Sequence, residues 1–386
     1  MKTPYLGLLL FVYSGLNAQN WQIKKDAPVD MTFPVVVSLN GNLHMMGGGA
    51  NGKATDLHLR YSPSNNKWDT LAPVPFLAQQ PAGAAINGKI YFCGGGYPNS
   101  GSRLDKHYYY DSDSMKWFAA AKMPVATAIH KAIDFNGKMY VLSGQPDKTL
   151  FEQYDPKLNK WTQLSALPDQ NFWYSGLAST SKSIYRFGGG GFNGATSAAH
   201  EYDSLNKSWV SIPNLPYPLH APAAIALNDS LIFITGGYYN GTTFNKTYIY
   251  NTNKRKYYPS DTMLVGRNYH ALALLNGCVY SVGGDNPAAL NLGTSLISIC
   301  NPHYQWALNI KEASTQKPFS ITCSEDYIYL KFETETFAEI ALYNLKGEIL
   351  QVGNNEIYTG GINSGVYFAI VKTESKTYIE KVLIFK

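Results

Sequence analysis

An apolar strand running straight into glycine recurs along this chain at near-constant intervals, and no other feature restricts its fold as much. The widest copy is Ser183-Ile184-Tyr185-Arg186-Phe187 followed by Gly188-Gly189-Gly190-Gly191. Equivalent junctions fall at Gly47, Gly94, Gly236 and Gly283, with Ser143-Gly144 as a reduced copy, so the blocks repeat every 45–49 residues. A period of that size marks an array of small supersecondary units, none of which can bury its apolar face alone.

Each block carries three further marks. Upstream of the glycines stands a hairpin signal, Asn-Gly between apolar runs, as in Asn87-Gly88, Asn136-Gly137 and Asn276-Gly277. Downstream comes a strand ending in Tyr61-Ser62, Tyr110-Asp111, Tyr154-Asp155, Tyr202-Asp203 or Tyr250-Asn251. Seven residues after each tyrosine is another aromatic: Trp68, Trp117, Trp161, Trp209 and Tyr257. Aromatic residues make up 14% of the chain and charged ones only 15%, which favours strands packed on strands. Four short strands per unit predict one small twisted sheet, stacked on its neighbours around an axis. The recurring Trp and Tyr are then the packing between units, with their polar tips reaching backbone groups.

These blocks resemble kelch repeats, whose marks are the double glycine, the Tyr-Asp pair and the spaced tryptophan. The resemblance implies an all-β fold, a six-bladed kelch β-propeller. A Trp-x6-Pro spacing joins one unit to the next at Trp68 to Pro75, Trp117 to Pro124, Trp161 to Pro168 and Trp209 to Pro216. The same spacing at Trp21 to Pro28 precedes the first block. It predicts that the strand over 21–26 closes blade six of a propeller covering 19–305, with 306–316 as a linker. Trp306 mimics the same position, but Ala313 stands where the proline belongs.

From Lys317 the repeat is replaced by shorter alternating strands, which predict a small β-sandwich over 317–386. This segment is similar to the C-terminal sorting domains of the type IX secretion system. The resemblance rests on Tyr343 to Gly347, Gly365-Val366-Tyr367 and the basic, apolar end from Lys381 to Lys386. The Pro-Asn-Pro element common near the start of such domains is missing. The resemblance implies recognition by type IX secretion machinery, with Gly365, Tyr367, Lys381 and Lys386 in the sorting signal. It also implies release or anchoring at the outer-membrane surface after passage through the periplasm. The N-terminus agrees: Lys2, the apolar run Leu6 to Leu16 and the small-residue exit at Ala18 predict a signal peptide over 1–18. No other stretch is apolar enough to span a bilayer, so the mature chain is expected to lack a transmembrane segment.

Net charge is only +5 and the densest basic run is Lys254-Arg255-Lys256, too short a footprint for nucleic acid. The four cysteines, at 93, 278, 300 and 323, have no metal or redox spacing. Cys93 and Cys278 lie in apolar strands and read as buried thiols, while Cys300 and Cys323 are a candidate pair.

Glycines after a strand also occur in phosphate loops, but those lead into a helix and a Lys-Ser/Thr pair, neither of which follows here. No metal cluster and no cofactor is predicted, and no nucleophile elbow or zinc-protease motif is present. Copper enzymes of the galactose-oxidase type need histidine ligands on a further C-terminal domain, and the tail supplies none. Counting back 13 residues from each first glycine reaches His130 and His270, and counting back 16 reaches His220 and Arg267. All lie at the start of the innermost strand, at the channel end where the glycine loops emerge. Kelch-type repeats use such positions for contacts between blades, so a ligand role for them competes with a structural one.

Aromatics crowd the same rim. Phe172-Trp173-Tyr174, Phe192-Asn193, Tyr97 and Tyr238-Tyr239 occupy loops around it. Aromatic faces beside amide side chains suit sugar rings, and suit protein partners as well. The expected protein is an exported monomeric binding protein for a glycan or a surface protein, with Arg267 and His130 joining the rim. A sugar-modifying enzyme similar to kelch-type sialic-acid epimerases is the alternative, with Arg267, His270 and His220 as its acid–base candidates.

Overall fold

The structure is a computed structural model. It describes residues 21–50, 52–97, 101–142, 144–168, 173–190, 194–260, 262–285, 297–300, 319–323, 327–332, 338–343, 349–362, 365–372 and 377–384. The signal-peptide segment, the 306–316 linker, Trp306, Phe172, Phe192, Asn193 and Lys386 lie outside the described residues. The chain divides into two compact units, Met1–Cys300 and Asn301–Lys386.

The first unit contains six four-stranded antiparallel sheets, and no helix occurs among the described residues. Blade one is Val35–Leu39, Asn42–Met46, His58–Ser62 and Lys67–Thr70, in that order from the axis outward. Blades two to five repeat the order, beginning at Ala82–Ile86, Lys131–Phe135, Gly176–Ser179 and Ala223–Asn228. The six-bladed all-β architecture is the one the repeat implied. Its hairpins form because Asn40, Asn87, Asn136 and Asn276 have φ near 50° and the following glycines φ of 74° to 77°. Two successive left-handed residues are what a type I′ turn demands, and its twist matches that of the strands it joins.

Blade six is built from both ends of the unit. Ala271–Leu275, Cys278–Val282 and Ile297–Cys300 supply three strands, and Trp21–Ile23 supplies the outermost, with Trp21 opposite Ile299. The strand ends at Ile23, three residues short of the 21–26 span read from the sequence. Each innermost strand neighbours the next, and the sixth returns to the first, so the ring is closed. The periodic aromatics tie it together. The indole N–H groups of Trp68, Trp117 and Trp161 donate to the carbonyls of Lys25, Ala72 and Ala121 in the connection before the preceding proline, at 2.9, 3.0 and 2.8 Å. The Tyr257 hydroxyl makes the same bond to Pro213 at 2.7 Å. Trp-x6-Pro is thus a bonding unit, the proline ending a segment whose carbonyl receives the next blade's ring. Apolar clusters straddle neighbouring blades; Tyr61 and Tyr280, for example, meet between blades one and six. Burying each such ring contributes about 1.5–3 kcal/mol.

Two sequence readings need correction. Cys278 is disulfide-bonded rather than a free thiol, and its backbone pairs with that of Cys300 in the ladder of blade six. Blade five carries a β-bulge between Ala226 and Asn228, and its inner strand has six residues where those of the other blades have four or five. Counting back 16 residues from Gly236 therefore stops one residue short. His220 does not match Arg267; Leu219 does, because both carbonyls accept from the second glycine of the preceding block.

The second unit has a three-stranded sheet (Phe319–Cys323, Tyr327–Phe332, Glu356–Tyr358) and a four-stranded one (Ile349–Asn354, Glu339–Tyr343, Gly365–Lys372, Thr377–Ile384). Ile328 and Ile357 of the first share a core with Ile340, Leu342 and Val371 of the second, which is how a sandwich buries its two inner faces.

Candidate functional site at one mouth of the axial channel

The residue two positions before each innermost strand has a left-handed backbone: Phe33, Gln80, Ile129, Tyr174, Ala221 and Tyr269, with φ between 51° and 62°. None is glycine, so each stores on the order of 1 kcal/mol or more of backbone strain. Three interblade hydrogen bonds hold the conformation: Phe33 N to Tyr269 O at 3.0 Å, Ile129 N to Gln80 O at 3.1 Å and Ala221 N to Tyr174 O at 3.1 Å. Six kinked chains thereby turn one side chain each toward a common centre. Tyr174, Ala221 and Tyr269 form a buried cluster there, with Phe33, Ile129 and Trp173 packed against it. Ring centroids lie 4.1 Å apart for Phe33–Tyr269, 5.5 Å for Tyr174–Tyr269 and 4.9 Å for Trp173–Tyr174. The signal for this ring was present in the sequence one residue from the histidine positions, but it carries no common residue type. Only the shared backbone geometry reveals it.

His220 lies under the ring and is fully buried. Its Nδ1 is 2.6 Å from the Gly190 carbonyl, which can only accept, so Nδ1 carries the proton. Nε2 then accepts from the Tyr269 hydroxyl at 2.7 Å. Burial holds the imidazole below its usual pKa, and burial pushes the Tyr269 phenol well above its own. Both therefore stay neutral near pH 7, in a fixed donor–acceptor order. The Tyr174 phenol is likewise pushed up to about 12 by burial.

The other sequence candidates are dispersed. His130 and His270 are buried beneath the glycine loops of the preceding blades; their Cε1 atoms lie 2.4 Å from where a Cβ on Gly94 or Gly236 would stand. Pro34, Pro81 and Pro222 fill the same place beneath Gly283, Gly47 and Gly188. The amides of Gly48, Gly95, Gly189, Gly237 and Gly284 all donate to carbonyls of an adjoining blade, so these loops hold the ring together rather than cradle an anion. Arg267 is buried, with Nη1 2.9 Å from Gly283 O, and burial lowers its pKa to about 10 against the pull of Asp26. Tyr97, Tyr238 and Tyr239 are half-buried in the surrounding loops, and Trp173 carries the Lys148 ammonium 4.6 Å from its ring centroid. Among the described residues no group of three His, Cys, Asp or Glu side chains is placed to hold a metal ion.

Below the aromatic ring the axis is hollow. A cavity of about 120 Å³ lies at the start of the inner strands, with Lys131, His270 and Ser175 among its walls. A second, of about 390 Å³, follows along the axis and shares Val36, Gly83, Ala132 and Leu177 with the first. Lys131 was not singled out in the sequence. Burial lowers its pKa to about 8.

A ring of six blades built on these glycine, Tyr-Asp and Trp marks is the kelch β-propeller, and comparison with known proteins agrees. Residues 80–284 match the family described as the KLHDC2/KLHL20/DRC7 Kelch-repeats domain, so the chain belongs to the kelch-repeat family. Residues 324–385 match the secretion system C-terminal sorting domain. The protein is thus a kelch propeller carrying a type IX sorting tail, of a kind that supports export to the cell surface or secretion. Similar curated proteins include Kelch-like protein 36 of Rattus norvegicus, 25% identical over 145 residues, covering 37% of this chain and 23% of the relative. Beta-scruin of Limulus polyphemus is 23% identical over 213 residues, covering 50% of this chain and 23% of that protein. The chain thus spans about a quarter of the length of these relatives. Among solved structures, one titled "Structure of YjhT" superposes with a TM-score of 0.57 at 17% identity, covering 71% of this chain and 95% of that one. That likeness concerns the fold.

Proposed function

We propose that this is an exported binding protein that recognises a glycan at the aromatic mouth of its propeller. The observation that carries the reading is the strained ring of Phe33, Tyr174 and Tyr269 with Trp173 beside it. Six left-handed residues are held there at a cost in stability, and such strain is concentrated where a scaffold presents contact groups. Aromatic faces offer sugar C–H surfaces a partner, and the loops bearing Tyr97, Tyr238, Tyr239, Phe192 and Asn193 would extend the contact. The sugar-modifying alternative draws less support from the geometry. His130 and His270 are packed beneath the glycine loops of the preceding blades, Arg267 is bonded to the Gly283 carbonyl of its own blade, and the His220–Tyr269 pair is held neutral. A glycan-array screen of the secreted chain tests the reading, with Trp173→Ala as control. Binding that drops at least tenfold in the variant is expected; unchanged binding, or no glycan bound at all, would refute it and leave a surface protein as the partner.

The tail reading extends to the route itself: signal peptide, periplasm, then type IX machinery acting on a sandwich that begins near Lys317. Deleting 317–386 should leave the propeller folded and trapped in the periplasm. Undiminished secretion of the truncated chain, followed by cell fractionation, would exclude that role.

A further inference from the structure

The aromatic mouth lies at the end of the ring where the glycine loops emerge. In each four-stranded antiparallel blade the two hairpin turns, after the first strand and after the third, lie at the opposite end. Hydrogen bonds between neighbouring blades join these turns into one face, as from Asn40 Nδ2 to Ser112 Oγ at 3.0 Å and from Ser181 Oγ to Asp229 Oδ2 at 2.7 Å. Lysine recurs across it in register. The outermost strands of blades one, two, three and five begin with Lys67, Lys116, Lys160 and Lys256, and Lys207 immediately precedes that of blade four. All five are exposed, and none is in an ion pair among the described residues. Lys157, Lys182 and Lys254 add to them, whereas Asp113 and Asp229 are the exposed acids of these turns among the described residues. The half-buried carboxylates Asp111 and Asp155 are engaged, 3.6 Å from Lys89 and 3.0 Å from Lys138 respectively.

Three of the same turns hold apolar side chains in water. Met115, Leu158 and Leu205, on the successive blades two, three and four, are 60%, 71% and 92% exposed. The fold does not require them, since each turn is closed by its leading aspartate: Oδ1 of Asp111, Asp155 and Asp203 each accepts two backbone amides. Single exposed apolar residues are ordinary, but here each stands within two residues of an exposed lysine, so one face is cationic and apolar at once. A soluble polyanion would meet the charges and leave the apolar tips in water. An anionic bilayer meets both, because apolar tips enter the interface while lysine ammoniums stay with the headgroups.

We propose that the face opposite the mouth docks on a membrane surface rich in anionic lipid. Met115, Leu158 and Leu205 enter the interface, and the lysines around them lie at headgroup level. The mouth then faces away from the bilayer, and this docking is independent of the ligand the mouth takes.

The test sediments the full chain with vesicles of phosphatidylcholine alone, or of phosphatidylcholine and phosphatidylglycerol in equal parts. The mixed vesicles should bind it at least tenfold more tightly than the neutral ones, and added salt should weaken that binding. Leu158→Ser combined with Leu205→Ser should fold, as tryptophan emission would report, and bind mixed vesicles at least tenfold more weakly. Lys116→Gln combined with Lys160→Gln should weaken binding to a similar extent. Binding to neither vesicle, or equal binding to both, would overturn the proposal, as would binding indifferent to the lysine changes. Mixed-vesicle binding that survives the leucine changes intact would also overturn it and assign the lysines to a soluble polyanion. Should a variant fail to fold, hydrogen exchange on the wild-type chain reads the same face. Mixed vesicles should slow exchange in the turns over 112–115, 156–159 and 204–207, and no added protection there would reject the docking.

Discussion

Acidification below pH 6 should unfold the propeller cooperatively, with a midpoint near pH 5 by tryptophan fluorescence. Burial depresses His44 and His107 to about 4 and His58 and His130 to about 3, and holds His270 well below the usual 6.5. Cationic neighbours add to the depression, Arg60 beside His44 and Arg267 beside His270. The sign follows from linkage. Above pH 6.5 these rings are neutral in folded and unfolded chains alike, and their contribution is fully present. As pH falls, the unfolded chain takes up protons that the folded one refuses, and stability is lost until the folded pKa values are reached. By pH 5 each ring has cost about 2 kcal/mol, so five of them rival the whole stability of a domain. Buried geometry adds to the sensitivity: His44 Nδ1 and His58 Nε2 are 2.9 Å apart, a contact that needs one unprotonated nitrogen. Glu152 opposes the trend. It is fully buried, neither carboxylate oxygen has a partner among the described residues, and burial raises it to about 7. Its protonated form is favoured by folding, so its contribution falls as pH rises from 4.5 to 7, and Glu152→Gln should stabilise more at pH 8 than at pH 5. A folded signal undiminished at pH 4 would contradict the histidine account.

Gly94→Ala should cost about 4 kcal/mol or more in a urea titration, whereas Gly88→Ala should cost only about 1 kcal/mol. Both glycines have positive φ, 63° and 77°, so the backbone penalty for a side chain is similar at each. What differs is the space. A Cβ on Gly94 would stand 2.4 Å from His130 Cε1 and 2.6 Å from the Thr127 carbonyl, while nothing lies within 4 Å at Gly88. Thr127 O cannot retreat, because it accepts the Gly95 amide at 2.9 Å and thereby joins blade two to blade three. Equal midpoint shifts for the two variants would mean that the glycine loops are not close-packed joints.

Much of this architecture was legible before the structure. Block spacing, Asn-Gly turns and the Trp-x6-Pro link are local patterns whose physics operates within a few residues. They identified the blades and their hairpins, and alternating strands marked the sandwich. The functional mouth was legible only in part. Trp173 and Tyr174 stood out as an aromatic run, but Phe33, Gln80, Ile129, Ala221 and Tyr269 share a backbone conformation and no chemistry. The bulge in blade five displaced His220 by one position relative to the count, since an extra strand residue leaves no mark in composition. Lys131 looked like any strand lysine.

By itself, then, the sequence determined that six small sheets must stack and that a sandwich follows them, because periodic apolar faces have no other way to leave water. The glycine run at 188–191 belonged to that message. Only the tertiary structure decided what lies at the axis. Closing the ring set six separate loops on one centre, turned histidines and prolines inward beneath glycines and left one lysine in the channel. Those outcomes depend on contacts between residues some 45–49 positions apart, one repeat length, which no local pattern encodes.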